Sequence, residues 1–488
     1  MNTLKWILTI VVLSAFPSAV AQNVPRVSPS VEQHIQHVEK GLIDGVIIRG
    51  EAHATYNLAD RMKALHVPGV SIAVVHDGKI EWARGFGVAR IGGPPVDANT
   101  MFQAGSISKP LATMAALELV EQDKLTLDTD INKYLASWKL PAAPVTDGKP
   151  VTLRELLTHT AGINVHGFPG YASNRPVPTL VQVLNGGRSA NTPAIRSEAL
   201  PGGQWKYSGG GYIILQQAAI DVTHEPFARL LHDSVLTPIG MTHSTFEQPL
   251  PKDFRRFAAT PYGGDGKPVE GGAHTYPELA AAGLWTTPTD LCRYIIEVQR
   301  SFVGKANHVL SAEMTNEMLT PGMGSWGLGL GIGGAASNRY FSHGGANAGF
   351  RNVLVGFEKN GEGAVVMTNG DNGGPITEEV MHSIAVEYNW PGYRPVEHTV
   401  VHLNRTVLAQ YVGTCQLQPN DDIVVILKSG QLTVHPTGEP DLPIYPESNT
   451  RFFSLQSIDI EFVKDDRGKV TALILYLNGG RGMRAPKK

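Results

Sequence analysis

The chain has 488 residues, 42% of them apolar and 17% charged, enough to bury the cores of two or three domains. A formal net charge of −3 with no basic stripe argues against nucleic acid as a partner. Two cysteines, Cys292 and Cys415, allow at most one disulfide, and the sequence leaves open whether they pair or are each buried as small apolar groups.

The chain opens with a short positive stretch, Met1 to Lys5, and an apolar stretch, Trp6 to Phe16. Ala19-Val20-Ala21 then offers a small-residue cleavage site. Spanning a bilayer takes about 20 apolar residues and this run is shorter. Residues 1–21 therefore read as a signal peptide, with the mature chain starting near Gln22 and exported to the periplasm or beyond. No later segment reads as membrane-spanning.

Val31 to Leu42 and Tyr56 to Leu65 read as helices. His34 and His37 lie three apart on the first of them and read as a solvated face, since no third metal ligand accompanies them. Gly69 to Val75 and Lys79 to Phe86, joined by His76-Asp77-Gly78, read as an antiparallel hairpin.

Next comes Ser106-Ile107-Ser108-Lys109, at the start of the apolar helix that continues from Leu111 to Val120. Helical spacing of three puts Ser106 and Lys109 on one face, so the amine can reach the hydroxyl. A serine hydroxyl is a poor nucleophile near neutral pH without an adjacent base, and burial is what would make a lysine that base.

Leu125 to Gln248 reads as helices and Gly/Pro-rich loops. Trp326 to Ile332, Asn352 to Phe357 and Gly363 to Thr368 read as neighbouring strands, and Ile376 to Tyr388 as a helix. Sheet strands at both ends of a largely helical stretch suggest one sheet with a helical insertion. Gly329, Gly331 and Gly334 match a dinucleotide-binding spacing, but they lie in a strand-like run with no nucleotide-binding helix after them. Residues 391–395 read as a linker. Beyond it, short strands at Ile423–Leu427, Gln431–Val434, Arg451–Leu455, Asp459–Val463 and Val470–Leu475 suggest a small antiparallel barrel.

Two further motifs stand out. Tyr207-Ser208-Gly209 precedes the apolar helix Ile213 to Ile220, and His343-Gly344-Gly345-Ala346 runs into a strand. With the S-x-x-K they follow the order S-x-x-K, Y-x-N, K/H-T/S/G-G, and the chain resembles the serine β-lactamase and penicillin-binding superfamily. The likeness is to its class C β-lactamase-like branch, which includes D-aminopeptidases and esterases, and it covers most of Gln22 to Trp390. Connecting runs such as Leu153 to Gly162, Leu236 to Met241 and Ala282 to Asp290 take part in it.

The resemblance implies an α+β fold: a β-lactamase/transpeptidase-like domain over 22–390, followed by a lipocalin-like barrel over 396–488. It implies Ser106 as nucleophile, Lys109 and Tyr207 sharing the proton work, and His343 beside Tyr207. It also implies backbone N–H groups of Ser106 and Ala346 as an oxyanion hole, with no metal or cofactor. Gly209 stands where the family usually has asparagine, and Gly344 and Gly345 line the substrate strand without the lysine and hydroxyl that hold a β-lactam carboxylate. Losing such charge-assisted bonds disfavours a free carboxylate. Arg351 is the one nearby candidate to replace that cation, and a surface strand arginine is its plainer reading.

The expected substrate is therefore a small peptide, including peptides of D-residues, with carboxylic esters and β-lactams behind it. A penicillin-binding sensor without turnover is the rival from another class. Self-association is left open. His159, in the Leu153–Gly162 run, reads as structural.

Overall fold

The computed structural model describes residues 29–488 apart from 306, 419–420, 439–440 and 478–481. The expected signal peptide lies outside the described residues. Among the described residues no helix is long and apolar enough to cross a membrane.

Gly69–His76 is buried at every position but its last, as a strand covered on both faces must be. Its alternate residues feed two cores. Val70, Ile72 and Val74 join Val353, Val355 and Val366 on one side, and Ala73 and Val75 join Leu354, Val365 and Met367 on the other. The strand lies inside a six-stranded antiparallel sheet in the order Lys79–Gly87, Gly69–His76, Gly363–Thr368, Phe350–Phe357, Tyr340–Asn347, Gly331–Gly333. The expected hairpin is present. Asp77 and Gly78 take positive φ at its turn, as a tight two-residue connection requires.

Helices Pro29–Lys40, Leu58–Ala64 and Gly373–Glu387 cover the first face. The second face is covered by Ser108–Glu121, Pro288–Phe302 and the helical insertion, whose principal helix is Gly209–Thr223. Ser108–Glu121 has apolar residues all round and is buried at all but three positions, which makes it the central helix rather than an amphipathic surface one.

One expected strand is mostly absent. Of Trp326 to Ile332 only Gly331 and Ile332 enter the sheet, in the short strand Gly331–Gly333. Gly329 turns with φ +81°, and a Cβ there would lie 2.2 Å from the Thr113 hydroxyl, so the glycine-rich run presses onto the central helix instead of extending.

The C-terminal residues form eight strands, each antiparallel to the next, between Gly413 and Pro486. A bridge between Cys415 and Lys487 brings the last strand against the first, so the sheet is nearly closed. The expected five strands are among the eight. Gly413–Gln418, Leu442–Pro446 and Met483–Pro486 are additional; the last two carry prolines, which weaken a strand signal. Tyr411, Phe452 and Phe462 pack together, largely edge to face, at ring separations of 4.5 to 5.3 Å, so side chains fill this part of the barrel interior.

The expected linker is pinned down at both ends. The Trp390 indole N–H donates to Glu362, the Tyr393 hydroxyl donates to Glu378, and Val396–His398 pairs in parallel with Val46–Ile48. Cys292 lies in the core beneath the six-stranded sheet and Cys415 in the barrel core; both are buried free thiols, so no disulfide joins the two parts.

Candidate active site

Gly105–Ile107 forms a single 3₁₀ turn that runs directly into helix Ser108–Glu121. Gly105 has φ +56°, and a Cβ on it would lie 2.6 Å from the Ala346 nitrogen, so only glycine lets this turn press against strand Tyr340–Asn347. The Ser108 hydroxyl donates to the Gly105 carbonyl at 2.6 Å and accepts the Leu284 N–H at 3.0 Å. It thereby fixes the turn to the segment that carries Ala281.

Lys109, 1% exposed, follows one turn after Ser106. Its Nζ donates to Ser106 Oγ at 3.0 Å and to the Ala281 carbonyl at 2.9 Å. Burial alone brings its pKa from 10.5 down to about 7, because no anion offsets the loss of hydration. A large fraction of the amine is therefore neutral at physiological pH.

Tyr207 lies just before helix Gly209–Thr223, which Ser208 caps by accepting the Gly211 N–H at 3.0 Å. The Lys109 Nζ is 5.1 Å from the Tyr207 ring centroid. Burial raises the phenol above its ordinary range, and a hydrogen bond with Ser106 offsets part of the rise.

His343 is buried in strand Tyr340–Asn347, with its ring 6.2 Å from that of Tyr207. Its Nδ1–H donates to the Gly344 carbonyl at 2.6 Å, which leaves Nε2 as the lone-pair nitrogen, unpartnered among the described residues. Burial, followed by the nearby Lys109, pushes its pKa down to about 3, so the ring is neutral.

Ser106, Lys109, Tyr207 and His343 thus lie together, and Ala346 borders the Ser106 turn. Gly344 is exposed on the same strand, while Gly345 is buried where a Cβ would come within 2.0 Å of the Ala104 carbonyl. At Gly209 a Cβ would meet the His166 carbonyl and Phe168 Cε2, each at 3.0 Å, so the 164–168 loop occupies the space a side chain would need. Arg351 is committed elsewhere. It donates to the Asn347 and Phe350 carbonyls at 2.8 and 2.7 Å and pairs with Asp371 at 2.9 Å.

Four further rings gather around Tyr207. His159 stacks at 4.2 Å, His166 lies at 4.8 Å and Trp326 at 5.9 Å, and Trp205 packs on Trp326 at 5.7 Å. Trp205 stands two residues before Tyr207, but no spacing in the sequence connects His159, His166 or Trp326 to it.

Among the described residues, one group has metal-ligand character: His76, Asp77 and Glu362, at the hairpin turn, with no motif residue in it. His76 and Glu362 already hydrogen-bond at 2.8 Å. His34 and His37 face different partners, Tyr388 and Glu387.

Comparison with known proteins bears on this arrangement. The family profile described as Beta-lactamase matches residues 56–386, a stretch that holds all three motifs. The putative penicillin-binding protein PbpX of Bacillus subtilis is 28% identical over 322 residues, covering 64% of this chain and 72% of that protein. The D-alanyl-D-alanine-carboxypeptidase/endopeptidase AmpH of Escherichia coli K12 is 27% identical over 235 residues, covering 46% of this chain and 56% of its own length. The solved structure of an octameric penicillin-binding protein homologue from Pyrococcus abyssi superimposes with a TM-score of 0.59 at 21% identity, over 88% of this chain and 98% of that one. That likeness shows the fold, a β-lactamase/transpeptidase fold followed by the barrel. With the profile spanning the sheet, the helical insertion and every motif residue, the chain belongs to the beta-lactamase family of serine hydrolases and penicillin-binding-like proteins.

Proposed function

We propose that this chain is an exported hydrolase that cleaves amide or ester bonds through an acyl-Ser106 intermediate, acting on small peptides or esters of D-amino acids. The observation that carries the reading is the Lys109 amine, 3.0 Å from the Ser106 hydroxyl and stripped of water. A neutral amine can take the hydroxyl proton as Ser106 Oγ attacks the carbonyl carbon. The backbone N–H groups of Ser106 and Ala346 then face the developing oxyanion. As the C–N or C–O bond breaks, the proton passes to the leaving amine or alkoxide through Lys109 and Tyr207. Water attacks the acyl-enzyme by the reverse route, releasing the acid and restoring Ser106.

Lys109 rather than Tyr207 is the first base in this reading. A phenolate needs flanking positive charge, and the rings beside Tyr207 include His159 and His343, both held neutral by burial. The same lack of charge speaks to the substrate. His343 is neutral, Arg351 is tied to Asp371, and Lys206 is paired with Glu198 at 2.8 Å, so no free cation in the motifs awaits a carboxylate. This favours amides and esters over β-lactams. The relative named a D-alanyl-D-alanine carboxypeptidase supports the D-residue preference. Export by residues 1–21, and the division into a hydrolase part over 22–390 and a barrel over 396–488, belong to the same proposal.

The test uses purified protein and its Ser106→Ala variant on D-amino acid p-nitroanilides, p-nitrophenyl esters and cephalosporins. Mass spectrometry of a fluorophosphonate adduct locates the nucleophile. Turnover that falls by three or more orders of magnitude in the variant, roughly the cost of losing a nucleophile, upholds the reading. A stable cephalosporoyl or phosphonyl adduct with no turnover of any substrate would mark a sensor instead.

A further inference from the structure

Tyr207 is held from both sides by one residue. The His159 carbonyl accepts the Lys206 N–H at 2.8 Å, and His159 Nδ1 accepts the Ser208 N–H at 3.1 Å. These are the two chain neighbours of Tyr207. Between them the imidazole lies along the phenol, ring centroids 4.2 Å apart and 35° from parallel. Because a backbone N–H can only donate, Nδ1 must be the lone-pair nitrogen, and the neutral ring carries its proton on Nε2. That Nε2 is buried and has no partner among the described residues. His159 also adopts φ +59°, a left-handed conformation that costs a non-glycine residue energy and persists where surrounding contacts over-determine it.

We infer that His159 is a positioning residue for Tyr207, fixing the phenol beside Ser106 and Lys109 through the Ser208 N–H to Nδ1 hydrogen bond. The inference rests on the proposed hydrolase reading. A residue that merely fills the core would need only its volume and its ring. A residue that sets the 206–208 backbone needs an acceptor at the Nδ1 position. Asparagine places its amide oxygen close to where Nδ1 stands, whereas phenylalanine keeps ring and volume without an acceptor, so two variants separate the roles.

The experiment compares His159→Asn and His159→Phe with the unaltered protein on a p-nitrophenyl ester, reading kcat and KM separately, after circular dichroism has confirmed folding. Should the Phe variant not fold, His159→Leu serves as the variant without an acceptor. Displacing a reacting group by about 1 Å costs on the order of 10²-fold. The expected result is therefore a kcat loss of about that size in His159→Phe, with KM little changed, and a kcat within about 5-fold of the unaltered protein in His159→Asn. A Phe variant equal to or faster than the Asn variant overturns the inference, as does an equal loss in both. The rate of Ser106 phosphonylation by a fluorophosphonate makes the same comparison without a substrate. If neither turnover nor labelling depends on Ser106, the hydrolase reading itself has failed, an outcome distinct from Ser106-dependent activity with the wrong order of variants.

Discussion

The Lys109 Nζ donates to Ser106 Oγ at 3.0 Å, and burial without any anionic partner sets its affinity for protons. In the proposed mechanism this amine is the base, which works only when neutral, so the rate should follow its deprotonation. With a pKa of about 7, kcat/KM should rise with pH through the neutral range as a single titration and then level off. His343 titrates far below this window and Tyr207 above it, so neither should bend the profile near neutrality. Ester hydrolysis measured from about pH 5 to pH 9 tests this. A flat profile across that range would remove Lys109 as the base.

The same shift has a stability consequence. The folded-state pKa is about 7 and the ordinary value is 10.5, so the unfolded chain binds the extra proton between those two values. The penalty for burying Lys109 is therefore complete below about pH 7 and fades as pH rises toward 10.5. Lys109→Met removes the titrating group while keeping an unbranched side chain. At pH 6 the variant should be more stable by a few kcal/mol, less about 1 kcal/mol for the bond to Ala281 that is lost. The gain should shrink toward alkaline pH, and activity should fall by several orders of magnitude. Thermal melts of both proteins at acid, neutral and alkaline pH decide it; a variant that is less stable at pH 6 refutes the argument.

Gly209 leads to a prediction that runs against the family pattern. Restoring the usual asparagine should not create a better β-lactamase, because a Cβ at this position meets the His166 backbone carbonyl at 3.0 Å as well as the Phe168 ring. Backbone cannot yield as a flexible side chain can. The Gly209 N–H also donates to that carbonyl at 3.0 Å, so the clash strains a bond that holds the 164–168 loop. Gly209→Asn should lose about 1–3 kcal/mol of stability, the usual cost of overpacking, and lower turnover of every substrate. Cephalosporin hydrolysis that rises in the variant would show that the loop moves aside.

What the sequence made legible here was local. Ser106 and Lys109 are one helical turn apart, so their contact follows from spacing alone, and the 69–87 hairpin follows from its turn residues and alternation. The juxtaposition of three distant motifs came from a family resemblance, not from periodicity. The rings of His159, His166 and Trp326 were not legible because only tertiary packing brings them to Tyr207, with Trp205, two residues before it, closing on Trp326. Ala281 gave no sign because it acts through its carbonyl, which every residue has. Trp326 to Ile332 misled for a different reason: its alternating glycines mimic a strand while permitting the turn at Gly329.

Arg351 gives a test of how the substrate is held. Its guanidinium is satisfied by Asp371 and two backbone carbonyls at the Asn347–Phe350 turn. Both members of the ion pair are about one-third exposed, so solvent screens it and the pair contributes at most about 1 kcal/mol. Arg351→Ala should lower the melting temperature slightly. KM for a dipeptide with a free carboxylate should stay within about 2-fold, against the tenfold or greater rise expected when a carboxylate loses a charged partner. Such a rise would return Arg351 to the substrate site.

The thiols offer a direct check on how the two cores are arranged. Cys292 is fully enclosed beneath the six-stranded sheet and Cys415 is enclosed in the barrel; burial raises the pKa of both, so neither is a ready thiolate. In the native protein a disulfide-exchange reagent such as DTNB should react with neither, and after denaturation without reductant it should titrate both. Reductant should leave the melting temperature unchanged, since no cross-link constrains the unfolded chain. Recovering no thiol after denaturation would mean that the two cysteines are joined, and that the barrel sits against the hydrolase part with Cys415 brought to Cys292 rather than enclosed in a separate core.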